Sequence, residues 1–189
     1  MNIWTKRITL LSIASLLAII AGCQTTSKQE HKAITTDKLE PYQCGDVAKL
    51  HTYKGVFLAS QPSADDFAQA KKGGVKTVVN LRHESENKDF NEKQVVGDLG
   101  LAYHNVPWNG PNELTDAKFD EARKLLREAE RPILMHCSSA NRVGAMWLAY
   151  RVLDEGATVE EATAEAKTVG MMSPDFERIA KAYVAKNKK

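Results

Sequence analysis

The sequence predicts an α/β domain of three layers, in which a central, mostly parallel sheet of four or five strands carries helices on both faces. Short apolar runs of strand length alternate along the chain with longer stretches whose apolar residues recur at helical spacing. This alternation favours parallel strands that are joined by right-handed helical crossovers. With 189 residues, the chain is long enough for one such domain with a full core.

Four apolar runs are predicted to be strands because they are short and are bounded by polar or turn residues. The third run, for example, follows Gly100 and is closed by Pro107. The predicted strands cover residues 56–59, 75–81, 101–106 and 132–136.

Cap residues mark the helices that lie between and after these strands. Ser63 is a suitable N-cap for the first helix, and Gly73 follows its last residue. Thr115 precedes an apolar stripe at helical spacing, and Ser173 followed by Pro174 is a typical helix start. The predicted helices cover residues 65–72, 91–99, 143–154, 158–169 and 174–186, together with the stretch after Thr115.

The first 22 residues have the pattern of a targeting signal and not of a folded domain. Lys6 and Arg7 precede an apolar segment, residues 8–21, that is too short to span a membrane. The next residue is Cys23, and residues 20–23 resemble the bacterial lipobox. That resemblance implies cleavage before Cys23 and attachment of lipid to it. An ordinary signal peptide with a chance cysteine is the alternative.

Three segments follow from these patterns. We expect a lipoprotein signal peptide over residues 1–22, a lipidated cysteine with a flexible polar tether over 23–44, and a catalytic domain over 45–189. Residue 24 is Gln and not Asp, which by resemblance to enterobacterial sorting implies the outer membrane. The expected location is therefore a lipid-anchored protein with its domain in the periplasm.

The charge balance limits the expected partners. Lys6 and Arg7 account for the formal net charge of +2, so the chain after the signal is neutral and offers no basic surface for nucleic acid. Contact with a membrane is expected only through lipid on Cys23. We expect no metal and no cofactor, since the histidines lack metal-ligand spacing with the cysteines and no glycine-rich nucleotide motif occurs.

The segment from His136 to Arg142 contains the candidate active site. It places Cys137 between a predicted buried strand and a predicted helix. Backbone N–H groups of such a loop, together with the helix N-terminus, can bind an anion, and the same positive field favours thiolate over thiol. The loop residues Ser138, Ser139, Ala140 and Asn141 would supply amides, and Arg142 a planar fork of donors for an oxyanion.

Other interpretations of the cysteines stay open at this point. Cys137 could be a buried core residue without function. Cys44 and Cys137 could form a disulfide in an oxidising compartment, or Cys137 could remain a reactive thiol while Cys44 is simply buried.

At this segment the chain resembles the cysteine-dependent tyrosine and dual-specificity phosphatase superfamily, whose signature is His-Cys, five residues, then Arg. Only four residues separate Cys137 from Arg142 here, a loop length that also resembles rhodanese-type sulfurtransferases. Residues 58–62 and 74–82, with Glu84 and Glu86, are similar to the phosphatase-like domain of beta-lactamase-hydrolase-like proteins.

The resemblance implies a role for each residue of the segment. Cys137 would be the nucleophile and Arg142 would bind the substrate oxyanion. The aspartate that serves the family as general acid is replaced by Asn109, so Glu113 or Asp116 would have to supply the proton if the loop folds back. The hydroxyl that usually follows the arginine is replaced by Val143.

Supporting roles are implied for residues around this loop. Glu84 or Glu86, which follow Arg82, would orient Arg142 or act as a displaced acid, unless they form a solvated strand end. Trp108 would stack on a substrate ring or cover the edge of the core. His136 would assist the thiol or only fix the loop, and we favour the second role because neighbouring strand residues face opposite ways.

Three functions are compatible with these residues. The first is a phosphatase-like hydrolase that acts on a phosphate monoester, such as phosphotyrosine, through Cys137. The second is a sulfurtransferase that carries a persulfide on Cys137. The third is a non-catalytic module that binds a small oxyanion. The His-Cys pair and the upstream segments favour the first, whereas the short loop, Asn109 and Val143 favour the others.

Overall fold

A six-stranded sheet forms the middle layer of the computed structural model, which describes residues 36–188. The strands are β1 Glu40–Pro41, β2 Leu50–Tyr53, β3 Val56–Ala59, β4 Thr77–Asn80, β5 Ala102–Asn105 and β6 Ile133–His136. Their order in the sheet is β1-β2-β3-β6-β4-β5. β3, β6, β4 and β5 are parallel, and β1 and β2 are antiparallel additions at one edge.

Helices cover both faces of this sheet, which confirms the predicted three-layer α/β class. They are α1 Ala64–Lys72, α2 Glu92–Asp98, α3 Asp116–Glu128, α4 Asn141–Leu153, α5 Val159–Val169 and α6 Pro174–Asn187, with a short 3₁₀ turn at Glu84–Glu86. The predicted helix ends agree with these bounds to within two residues. Ser63 and Ser173 cap α1 and α6 as predicted, each accepting a backbone N–H through its side chain.

The predicted strand number was too low because the two antiparallel strands β1 and β2 carry weak sequence signals. β2 and β3 form a hairpin whose two turn residues, Lys54 and Gly55, both have positive φ. Lysine is an unusual residue for the first of these positions, where Asn or Asp marks such turns in a sequence. β1 has only two residues, one of them a proline.

The folded part also begins earlier than residue 45, where we predicted the tether to end. Glu40 and Pro41 pair with Thr52 and His51, and Cys44 is buried. The predicted signal peptide over residues 1–22, the lipid site at Cys23 and the first part of the tether lie outside the described residues. Within residues 36–188, no helix combines the length and the apolar character needed to cross a bilayer.

Alternate residues of the central strands supply two apolar cores, one on each side of the sheet. Val79 and Met135 face a large core that α3, α4, α5 and α6 complete. Val78 and Leu134 face a smaller core under α1 and α2. Helix α4 packs against both the sheet and its neighbouring helices, which explains why it is buried almost throughout.

The two cores also separate the cysteines. Cys137 belongs to the large core and Cys44 to the small one, on the opposite side of the sheet. Cys137 is a free thiol, so the disulfide between them that the sequence allowed is not formed.

Gly144 allows the first turn of α4 to approach the segment that joins α5 to α6. A Cβ at this position would lie 2.7 Å from the carbonyl oxygen of Ala166 and 2.7 Å from the Cβ of Met171. Both neighbours are fixed, one by a helix and the other by burial. The absence of a side chain therefore sets how closely the start of α4 can be held.

We predict that Gly144→Ala lowers the free energy of unfolding by about 1–3 kcal/mol, because the cost of overpacking exceeds the helix propensity that alanine adds. Urea unfolding of the domain measures the change. Gly97→Ala is the matched control, since Gly97 lies in α2 with nothing within 4 Å of an added Cβ. The control should be stabilised by up to about 1 kcal/mol, and equal behaviour of the two variants would contradict the packing argument.

Candidate active site

The loops that follow β3, β4 and β6 meet at the carboxyl edge of the parallel strands. The amide of Gln61, after β3, donates to the carbonyl of Ser138, after β6 (3.2 Å). The amide of Leu81, after β4, donates to the carbonyl of His136 (3.0 Å). Binding sites of parallel α/β sheets lie at this edge, so the structure places the segment 137–142 where a ligand is expected.

The Cys137 loop is a short connection between a buried strand and a buried helix. Cys137 is 1% exposed and its amide donates to Ala59 (3.4 Å), whereas Ser138 and Ser139 are exposed. Ala140 adopts the left-handed conformation, with φ 66°, and turns the chain into α4. Such a conformation is costly for alanine and persists only where the surroundings hold it.

The first turn of α4 presents backbone donors towards the loop. The hydrogen bond from the Gly144 amide to the Ala140 carbonyl (2.9 Å) closes this turn. The amides of Asn141, Arg142 and Val143 precede it and therefore have no acceptor inside the helix. Such amides form a site for an anion.

Asn141 ties the loop to the connection between α5 and α6. Its Oδ1 accepts hydrogen bonds from the amides of Met172 (2.8 Å) and Ser173 (3.2 Å). The side chain of Asn141 is therefore occupied in holding the loop, which leaves its backbone amide as its contribution to an anion site.

Arg142 is buried, and its guanidinium is held by acceptors from two other loops. Nη1 donates to the carbonyls of Leu81 (3.1 Å) and Trp108 (2.7 Å) and to Oε1 of Glu86 (2.8 Å). Nη2 donates to Oε2 of Glu86 (2.6 Å). Burial alone would lower the pKa of Arg142, but the carboxylate of Glu86 and the interaction with Cys137 raise it.

Glu86 is ionised because of these contacts. Burial would raise its pKa, but the hydrogen bonds from Arg142 and from the amide of His83, with the charges of Arg142 and Arg82, lower the pKa to about 2. The amide of His83 donates to the same oxygen, Oε1, that accepts from Arg142 (2.8 Å). Of the two glutamates considered from the sequence, Glu86 is the one that contacts Arg142.

A second set of polar contacts runs behind the loop. Nε2 of His136 lies 2.9 Å from Oε1 of Glu92, and Nε2 of Gln61 donates to the other carboxylate oxygen (2.8 Å). Gln61 accepts from Arg82, and Arg82 also donates to the carbonyl of Glu86. A continuous chain of contacts therefore joins His136, next to the cysteine, to Glu86, the partner of Arg142.

The buried pair of His136 and Glu92 has a defined proton arrangement. Burial would raise the pKa of Glu92, but the hydrogen bonds from His136 and Gln61 lower it. An ionised carboxylate can only accept, so Nε2 of His136 carries the proton. His136 thus fixes the base of the loop, and its ring packs edge-on against Phe67 (5.7 Å between centroids).

An acidic group lies at the exposed rim of the site. Oε2 of Glu113 accepts from the amide of Asn109 (2.8 Å) and lies 2.7 Å from Nε2 of His83. These two hydrogen bonds lower the pKa of Glu113. The loop after β5 therefore folds back so that Glu113 lies against Asn109, the position at which the sequence lacks the expected acid.

Three other side chains singled out from the sequence make their contacts away from the Cys137 loop. The Trp108 ring is fully buried and packs against Phe176 (4.9 Å between centroids), so it covers the core, and only its carbonyl contacts Arg142. Asp116 forms an ion pair with Lys186 of α6. Glu84 is exposed, and its charge acts on Tyr103 of β5.

Sequence reasoning missed the parts of the site that depend on distant partners. Glu92 is separated from His136 by 44 positions, and no local pattern marks it. His83 was assigned no role, although it contacts both Glu86 and Glu113. Gln61 belonged to a segment that resembled the family, and this was the one available signal for it.

Two curated proteins show how this chain is related to others, one over half of its length and one over most of it. The beta-lactamase hydrolase-like protein of Agrobacterium fabrum is 29% identical over 101 residues, which is 51% of this chain and 23% of that protein. The chain therefore spans about a quarter of the length of that relative. The dual specificity protein phosphatase TpbA of Pseudomonas aeruginosa is 26% identical over 176 residues, 89% of this chain and 78% of TpbA.

Solved structures share the fold. A candidate phosphatase from Shewanella putrefaciens superposes with a TM-score of 0.65 at 19% identity, covering 76% of this chain and 96% of that one. A structure of P. aeruginosa TpbA in complex with pTyr has a TM-score of 0.57 at 26% identity, covering 74% of this chain and 84% of that one.

The family profile that matches the chain covers the elements that build the site. It is described as the beta-lactamase hydrolase-like protein, phosphatase-like domain, and it matches residues 51–153, from β2 to the end of α4. This range is more than half of the chain and includes Gln61, Arg82, Glu86, Cys137 and Arg142. The chain belongs to the family of the phosphatase-like domain of beta-lactamase hydrolase-like proteins.

Proposed function

We propose that this chain is a cysteine-dependent phosphatase that hydrolyses phosphate monoesters through a covalent intermediate on Cys137. The observation that carries the proposal is the placement of Arg142. Its guanidinium is fixed by Glu86 and two carbonyls and interacts with Cys137, at the other end of the same short loop. Family membership and the named phosphatase relatives support it.

The donor arrangement on Arg142 fits this role. The contacts to Leu81, Trp108 and Glu86 occupy Nη1 and one position on Nη2. The Nε–H and the second Nη2–H remain for the sulfur and for a bound oxyanion. A guanidinium that is held in place before substrate binds stabilises the charge of the transition state without having to reorganise.

The reaction takes two steps. In the first, Sγ of Cys137 attacks phosphorus, the S–P bond forms, and the P–O bond to the leaving alcohol breaks as its oxygen takes up a proton. In the second, water attacks phosphorus, the S–P bond breaks, and the thiolate and inorganic phosphate are released. Arg142 and the amides of the loop bind the three non-bridging oxygens throughout.

We propose phosphotyrosine-type substrates as the first class to test. TpbA is named a dual specificity protein phosphatase, and one of its structures is in complex with pTyr. Sulfur transfer, which the four-residue loop also suggested, is the competing reaction.

We predict that Cys137→Ser reduces p-nitrophenyl phosphate hydrolysis to below about one thousandth of wild type. The domain from residue 24, kept reduced, is assayed for p-nitrophenol release. Arg142→Lys should lower kcat by about 10²–10³-fold, because lysine cannot donate to Glu86, two carbonyls and an oxyanion at once.

The same preparations are assayed for sulfur transfer from thiosulfate to cyanide. Transfer that depends on Cys137, without phosphate release, would refute the phosphatase proposal. Asp116→Asn is the matched control, and it should retain full activity since Asp116 pairs with Lys186 at the surface.

We predict that Glu86→Gln destabilises the domain in a pH-dependent way. The pKa of Glu86 is lowered from 4.5 to about 2. Its contribution to stability is therefore complete above pH 4.5 and is lost as pH falls towards 2. The difference in free energy of unfolding between wild type and variant should be about 2–3 kcal/mol at pH 7, and it should shrink steadily below pH 4.5.

Urea unfolding at several pH values between 7 and 3 measures this difference. Glu84→Gln is the control on the same 3₁₀ turn, and it should stay close to wild type at every pH because Glu84 is exposed. A constant difference for Glu86→Gln across the range would show that loss of shape, and not loss of the ion pair, causes the destabilisation.

A further inference from the structure

The first step of the proposed reaction needs a proton donor, and the carboxyl groups near the site differ in their ability to supply one. Asn109 has no acidic proton. Glu86 is bound to Arg142 through both oxygens, and both oxygens of the buried Glu92 are occupied by His136 and Gln61. Asp116 lies against Lys186. Glu113 differs from Glu86 and Glu92 because only one of its two oxygens is bound to described residues.

Glu113 is fixed to Arg142 by two separate routes. In the first, the peptide unit between Trp108 and Asn109 accepts from Nη1 of Arg142 through its C=O and donates to Oε2 of Glu113 through its N–H. In the second, Glu86 contacts both Arg142 and the amide of His83, and the ring of His83 contacts Glu113. The two routes together form a closed ring of hydrogen bonds. Along the first route, one peptide unit separates Glu113 from the guanidinium of Arg142.

The two oxygens of Glu113 are in different situations. Oε2 is the atom to which the Asn109 amide and the His83 ring are bound, 2.8 and 2.7 Å away. Oε1 has no hydrogen bond to the described residues. With 49% of the side chain exposed, the carboxyl group is accessible to solvent.

We infer that Glu113 is the general acid of this enzyme, in place of the aspartate that Asn109 replaces, and that His83 is the residue that positions it. The inference rests on the proposed phosphatase function. In the first step the Oε1–H bond breaks and its proton passes to the leaving oxygen as the P–O bond breaks. In the second step Oε1 takes a proton from the attacking water, which restores the acid.

The charges around Glu113 determine the pH range of this step. His83 and the Asn109 amide favour the carboxylate, whereas the negative charge of Glu86 favours the protonated form. Glu86 is itself paired with Arg142. In the proposed complex, a phosphate dianion at the Cys137 loop would add negative charge to the site and favour the protonated form further. The pH profile of kcat reports the pKa of the acid in the enzyme–substrate complex, and that of kcat/KM reports its pKa in the free enzyme. The alkaline limb of the kcat profile should therefore lie at higher pH than that of the kcat/KM profile.

The test compares two substrates that differ in how much they need an acid. Phosphotyrosine has a poor leaving group, and p-nitrophenyl phosphate has a good one. For Glu113→Gln we expect a loss of about 10²-fold or more in kcat for phosphotyrosine and a much smaller loss for p-nitrophenyl phosphate. Asp116→Asn removes a carboxyl group that pairs with Lys186 away from the Cys137 loop, and it should match wild type on both substrates.

A second variant separates a chemical role from a structural one. His83→Gln removes the imidazole whose contact lowers the pKa of Glu113, so the alkaline limb of the pH profile should move to higher pH. A merely structural role of His83 would lower activity without moving that limb. Equal losses on both substrates for Glu113→Gln, or an unmoved limb for His83→Gln, would overturn the inference while Cys137-dependent hydrolysis stands. Absence of Cys137-dependent hydrolysis in wild type would overturn both proposals.

Discussion

The buried guanidinium of Arg142 is the constraint from which the arrangement of the site follows. Arg142 is only 6% exposed, and an ion at that depth must be paired and hydrogen-bonded, because an unpaired charge there costs several kcal/mol. Its acceptors come from the 3₁₀ turn after β4 and from the loop after β5. The cost of leaving these donors unpaired therefore couples the two loops to the first turn of α4. A loop that moved away would leave a buried donor without an acceptor.

The buried pair of His136 and Glu92 fixes the other end of the Cys137 loop. His136 and Glu92 join the last residue of β6 to the first turn of α2, and Gln61 and Arg82 continue the contacts towards Glu86. Cys137 and Arg142 are thus held through different partners that are themselves connected. This gives a physical reason for a four-residue loop to stay in one conformation even though Ala140 must adopt positive φ.

Local sequence patterns predicted the parallel strands and all six α-helices of the described chain, because periodicity and caps act within a few residues. They did not predict β1 and β2, whose pairing depends on a Lys54–Gly55 turn and on a strand of two residues. The candidate nucleophile Cys137 and its neighbour Arg142 were recognisable since they lie in one short segment. Their partners were not, because the contact between Glu86 and Arg142 spans 56 positions and that between His83 and Glu113 spans 30. Burial of the Trp108 ring likewise depends on Phe176, which no local signal connects to it.

Glu86 and Glu113 show how burial gives two carboxyl groups of one site different chemistry. Glu86 contacts Arg142 directly, and Glu113 is linked to it through the peptide unit between Trp108 and Asn109. The side chain of Glu86 is 21% exposed, whereas that of Glu113 is 49% exposed. Both oxygens of Glu86 accept hydrogen bonds from Arg142, and the pKa of Glu86 is lowered to about 2. Glu86 is therefore ionised near neutral pH, where it can hold the arginine but cannot donate a proton. Glu113 gives one oxygen to its partners, and the other has no hydrogen bond to the described residues, as the general acid proposed above requires. Different surroundings commonly assign such separate roles to two carboxyl groups of one active site.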